Sequence, residues 1–272
     1  MKRLPGRLLI GGVITMLLIG AAVVSRFWTP ADPAAINIVN RLKGPGPGGL
    51  LGADQLGRDE FSMIMAGAWT SLSIAITGVA LGAILGVAIG AEAAARRGRF
   101  EAVTMRIADV LFSFPPVLSA LLIAAVLGGG PQTTIVAIAL FMVPVFARVT
   151  RGAALQARAR DYVLAARMAG LSDFRITLGH VLPDIAGQII VQLAIQTGLA
   201  ILTEAGLSFL GLGVPPPTPS WGRMLADART YLSAAPHLVL APGLAITLAV
   251  LGFNLLGDGL SRALDPRRRE GE

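Results

Sequence analysis

The sequence predicts an all-α membrane protein with about six transmembrane helices, and three observations carry that expectation. The 272-residue chain is 54% hydrophobic and only 14% charged, with a mean hydropathy of +0.70, more apolar surface than a soluble domain of this length buries. Its apolar residues gather into runs of roughly twenty, the length that crosses a hydrocarbon core as a helix. Lys and Arg fall unevenly between the connecting segments, the pattern that orients a multi-pass protein.

The first run follows a charged start in MKRLPGRLLIGGVITMLLIGAAVV. A signal peptide and a first span both fit, but the run is long for a signal and no small-x-small site precedes Arg26, which favours an uncleaved anchor over 8–25. The further spans are expected at 69–92, 107–128, 132–149, 186–209 and 238–258. The third is interrupted by Asp109, Ser113 and Pro115-Pro116, so it should be kinked and packed in protein, where neighbours satisfy the freed carbonyls.

With the N-terminus inside, seventeen of the 23 Lys and Arg residues fall on the cytoplasmic side and six on the other, which places both termini inside. The organisation follows. Residues 1–68 form an N-terminal cytoplasmic tip, the first span and an external loop containing GPGPGG; 69–260 form one membrane domain with a cytoplasmic loop at 150–185; 261–272 form a cytoplasmic tail. A second external segment, 212–237, carries the stiff turn GVPPPTPSWG. The loop near Ser220, Trp221 and Gly222 is expected to face an external partner.

Several chemistries are excluded. Basic residues in so apolar a chain mark cytoplasmic loops and anionic lipid rather than nucleic acid, and aromatic stacking residues are sparse. There is no cysteine and no HExxH, and the two histidines, His180 and His237, fall on opposite sides of the membrane, so no metal site is expected. Lys2 and Lys43 are the only lysines and neither follows a phosphate-cradling glycine loop, so the chain is not expected to hydrolyse ATP. No GxSxG is present for a hidden hydrolase.

Four polar or small-residue features remain. Gly78, Gly82, Gly86 and Gly90 recur every four residues on one helix face, a seam for close helix packing within the chain or between subunits. Glu204 and Asp109 lie in spans, where an ionised group facing lipid is costly; a place on a transport path, with Gln196, and a structural hydrogen bond are both open. Residues 160–185, RDYVLAARMAGLSDFRITLGHVLPDI, read as a polar helical hairpin: a helix from Tyr162 to Met168, a stop at Ala169-Gly170, an N-cap at Ser172 and a limit at Pro183. Its small residues Ala165, Ala166, Ala169 and Gly170 fit a groove on a partner, with Arg160, Arg167 and Arg175 for acidic contacts; an amphipathic loop resting on the membrane fits equally.

The run Leu164-Ala165-Ala166, then Gly170, then Leu182-Pro183 resembles the cytoplasmic "EAA" loop of permease subunits of binding-protein-dependent ABC importers, with Leu164 in the place of the glutamate and His180 in that of a later isoleucine. LGADQLGRDEFSMIMAGAWTSLSIA at 51–75 is similar to the "LGRD … GARTSL" block of the peptide and nickel permeases, with Ala53 where glycine or threonine is usual. EAGLSFLGLGVPPPTPSWGRML at 204–225 resembles the signature of their C-type subunit, and 240–267 resembles its ending.

The resemblance covers most of 50–267 and implies a type I ABC importer permease fold, not itself an enzyme. It implies a coupling helix in which Leu164, Ala165, Ala166, Arg167, Ala169, Gly170 and Asp173 meet an ATPase. The implied partners are a homologous second permease, two ATP-binding subunits holding ATP and Mg, an external solute-binding protein and the lipid of the bacterial inner membrane. The implied cargo is a dipeptide, an oligopeptide, nickel or a related small solute. The rival expectation is an ATP-independent channel or secondary transporter in which Asp109, Gln192, Gln196 and Glu204 carry the coupling.

Overall fold

The computed structural model describes residues 6–264. The expected cytoplasmic tip with Lys2 and Arg3, and the tail from residue 265 on with Arg267, Arg268 and Arg269, lie outside the described residues.

Among the described residues ten α-helices follow one another: α1 (Gly6–Val24), α2 (Glu60–Arg96), α3 (Gly98–Phe112), α4 (Pro116–Leu127), α5 (Pro131–Arg158), α6 (Asp161–Met168), α7 (Asp173–Ile176), α8 (Leu182–Phe209), α9 (Trp221–Ala228) and α10 (His237–Leu264). Helices α1, α2, α5, α8 and α10 are each long and apolar enough to cross a membrane, with the pair α3–α4 as a sixth, broken span. Every predicted run is therefore helical, but the ends differ. Helix α2 begins nine residues before the expected 69, because the Asp59 carboxylate caps it by accepting from Ser62 N at 2.8 Å. Its 37 residues make a rod of about 55 Å, longer than the apolar layer, so its polar ends gave no hydropathy signal. The expected boundary at 68/69 falls inside this helix.

The third span departs most from expectation. It is kinked, α3 and the body of α4 meeting at 89° around Pro115. It is not packed inside the chain: among its described residues only Ala108, Ala120 and Ala124 are buried, while Val110, Leu118, Leu122 and Val126 stand exposed. The bent pair lies along one side of α5, with α3 also touching α2 and α4 also touching α8, and the faces turned away from the bundle stay exposed.

The core is built on the glycine seam of α2. A methyl group at Gly78 would lie 2.7 Å from Ile138, at Gly82 2.4 Å from Met142, at Gly86 2.5 Å from the Val143 carbonyl and at Gly90 2.3 Å from the Ala147 carbonyl. The backbones of α2 and α5 thus touch along about 18 Å, the close approach that lets dispersion hold helices together where the hydrophobic effect is weak. A second glycine contact joins α1 to α10, where Gly11 lies against Leu255 and Leu256, and Gly259 against Leu8. Around these seams Leu72, Val79, Phe146, Ile201 and Phe253 form the main apolar cluster.

The hairpin also differs at its exit. Pro183 does not end it. Helix α7 runs through a wider turn at Thr177–Val181, where Leu182 N donates to the carbonyl of Thr177 five residues back, and continues into α8. The wide turn shifts the hydrogen-bond register just where proline lacks its N–H, so Pro183 sits in the first turn of α8 without breaking the path.

Candidate docking hairpin and the polar cluster at the opposite end

The hairpin is fastened to the bundle by one arginine and an apolar cluster. The Arg158 side chain, 1% exposed, leaves the end of α5 and donates to Asp173 at 2.8 Å and to the Thr177 hydroxyl at 2.5 Å. That hydrogen bond holds the Asp173 carboxyl below the usual carboxylate range. Val163, Ala166, Ile176, Val181 and Ile185 pack against Ala94 of α2 and Ala153, Ala154 and Ala157 of α5. Helix α7 is capped by Ser172, whose hydroxyl accepts from Arg175 N, and the tip turns at Gly170 with φ +77, a left-handed conformation that suits glycine. Arg160 donates to Asp184 at 2.9 Å and ties the start of α6 to α8, while the Tyr162 and His180 rings stack with centroids 6.4 Å apart.

Of the seven residues implied for coupling, the structure leaves Leu164, Ala165, Arg167, Ala169 and Gly170 exposed at the surface of the hairpin. Ala166 corrects the expectation: it is 7% exposed and belongs to the cluster that fastens the hairpin, because it lies three residues after Val163 on the inward face of α6. Asp173 is exposed, but its carboxylate is engaged by Arg158. The sequence reading missed Met168, 90% exposed, Phe174, 70% exposed, and Leu178. Leu164 with Met168, and Phe174 with Leu178, are i,i+4 pairs, so each limb of the hairpin offers an apolar ridge to its surroundings. That spacing was the available signal.

The opposite end of the bundle encloses its functional-looking residues. Glu204 is 0% exposed and its Oε1 accepts from the Ser208 hydroxyl at 2.7 Å; Oε2 has no hydrogen-bond partner among the described residues. Trp221, also fully buried, donates its backbone N–H to the Ser71 hydroxyl at 3.2 Å and its indole N–H to the Ile64 carbonyl at 3.0 Å. Ser220 caps α9, and a methyl group at Gly222 would lie 2.2 Å from the Ala205 carbonyl. Residues 220–222 are therefore not the outward face of this segment. They pin it onto α2 and α8, and its exposed parts include the proline run 215–218 and residues 229–230 and 232–234. Beside it, Asp54 organises the external-type loop, its carboxylate accepting from Leu56 N and Arg58 N, both at 2.8 Å, and from Arg58 Nε at 2.7 Å.

The three residues considered for a transport path are not brought together. Asp109 is paired with Arg148, whose guanidinium lies 4.5 Å over the Phe112 ring. Gln196 is half-buried on α8, about 12 Å along the helix from Glu204. Among the described residues no group of three or more His, Asp or Glu is placed to hold a metal ion.

The family described as "Binding-protein-dependent transport system inner membrane component" matches residues 78–270. The glutathione transport system permease protein of Pectobacterium atrosepticum is 42% identical over 257 residues, covering 94% of this chain and 85% of that protein. Its counterpart in Escherichia coli O1:K1 is 42% identical over 94% of this chain and 84% of its own length. An inward-facing structure of the MetNI methionine ABC transporter superposes with a TM-score of 0.63 at 17% identity, over 75% of this chain and 96% of that one.

Proposed function

Since this chain belongs to the binding-protein-dependent transport system inner membrane component family, and is thus a multi-pass permease subunit of an ABC importer, we propose that residues 160–185 are its dock for a cytoplasmic ATP-binding subunit. The observation that carries this is the hairpin itself. Its inner face is fastened to α2, α5 and α8, while Leu164, Met168, Phe174 and Leu178 stand outside around the Gly170 turn. Exposed apolar ridges on a rigidly held element are the form of an interface that must transmit displacement.

In this reading the chain supplies half of the path and one docking element, beside a homologous permease, two ATPases that hold ATP and Mg, and an external solute-binding protein. Closure of the ATPases moves the docked hairpins and shifts the bundle between inward-open and outward-open arrangements. Both termini lie in the cytoplasm, as the excess of Arg at the hairpin end supports. The cargo is a short peptide, with glutathione the first candidate because the relatives transport it.

The test replaces the turn. Gly170→Val puts a β-branched residue at φ +77 with nothing within 4 Å of its Cβ, so the change acts on the turn and not on the core. Uptake of glutathione by the assembled transporter should fall at least tenfold, with membrane insertion intact and ATPase subunits lost on copurification. Unchanged uptake with normal ATPase capture would show that the dock lies elsewhere.

A further inference from the structure

A cleft of about 420 Å³ lies between the ends of α5, α8 and α10, beside the hairpin. That volume suits a small ligand, whose sites run from roughly 300 to 1,000 Å³. About half of its wall is polar, much for a membrane protein: Gln156 comes from α5, Gln188 and Gln192 from α8, Ser261 from α10, with the Arg160–Asp184 ion pair beside them, while Val149, Val191 and Leu264 are among the apolar residues that line the rest. Gln196 follows Gln192 at the same four-residue spacing, so three amides stand along one face of α8 over about 12 Å. None of these amide side chains hydrogen-bonds to another described residue, whereas the hydroxyl of Thr197 on the same helix is satisfied by the Leu193 carbonyl.

A row of unpaired amides facing lipid would be costly, so it marks a wet surface. Each glutamine offers two donors and an acceptor but no charge, and can pair with successive peptide groups of a passing solute without holding it as an ion would. Arg160 and Asp184 add one cation and one anion at a fixed spacing. Both are partly exposed and their mutual attraction in water is weak, so the ends of a zwitterion can exchange into the pair. Arg160 also stands immediately before α6, so the cleft wall and the hairpin share a residue.

We propose that this cleft is a release-side binding site for a short zwitterionic peptide, its amide groups on Gln156, Gln188 and Gln192 and its charged ends on Arg160 and Asp184. The proposal rests on the reading of the chain as a peptide-importer permease.

The chain contains no cysteine, so Gln188→Cys, Gln192→Cys and, as a control on exposed Leu232 outside the spans, Leu232→Cys each report one position. The probe is S-methylglutathione, which has no free thiol, added with ATP and binding protein to the complete transporter in nanodiscs; the reporter is a water-soluble maleimide. Labelling at 188 and 192 should slow at least threefold with the probe, and labelling at 232 should not slow with the probe beyond the change that ATP and binding protein alone produce. In liposomes, Gln188→Leu with Gln192→Leu should cut uptake at least tenfold while assembly and ATP hydrolysis persist, and Asn at both positions should restore part of it.

Wild-type import of the probe with no protection at 188 or 192 overturns the cleft. So does full import by the double Leu variant, or inert cysteines in the assembled complex, which would mean that a partner helix or lipid covers the site. A wild-type transporter that moves no peptide overturns the functional reading instead.

Discussion

The two ends of the bundle use similar materials in opposite ways. At the hairpin end a buried arginine and small apolar residues hold the segment from within, and Met168 and Phe174 are left outside. At the other end Trp221 and Glu204 are drawn completely inside, although the loops around them keep the proline run 215–218, Phe27, Val39 and Leu232 on the surface. The difference teaches that the more distinctive motif is not the more exposed one. The block around Ser220, Trp221 and Gly222 is a lock that fixes this segment to α2 and α8, while the less distinctive hairpin leaves Leu164, Met168, Phe174 and Leu178 exposed around its turn.

Three substitutions probe that contrast, the largest effect first. Trp221→Ala removes a fully buried ring and its bond to Ile64, and should destabilise the purified chain by about 3–5 kcal/mol; a melting temperature equal to wild type would mean the loop is not a lock. Arg158→Gln removes a buried guanidinium that binds Asp173 and Thr177, at a cost of about 1–3 kcal/mol confined to the hairpin. Amide hydrogen exchange should rise across 160–181 and stay unchanged around Trp221; exchange rising equally at both ends would erase the distinction. Met168→Ser with Phe174→Ser should leave stability within about 0.5 kcal/mol and still cut ATPase capture about tenfold, since these side chains touch little within the chain. A large loss of stability would place them in the core.

The helices were legible because hydrocarbon thickness demands long apolar runs, and the α2 seam because its glycines share one period. Gly11 and Gly259 gave no such signal: they lie on helices far apart in sequence and meet only through the packing of α1 on α10. The site was legible as a hairpin with a glycine turn, but its outward residues were not. Which face of α6 points inward is decided by Ala154 and Ala157 on α5, so Ala166 read as a contact and Met168 went unnoticed. Trp221 misled for a related reason, since a loop bracketed by prolines can carry a buried anchor.

The unbroken rod of α2 reaches both ends. Ala94 touches the cluster under the hairpin, and Gly67 lies against Trp221 about 40 Å away, with four glycines clamping the stretch between them to α5. Mechanically this is a single strut without a break: the hairpin cluster and the Trp221 lock are fastened to one continuous helix, and the part of it between them is itself fastened to α5.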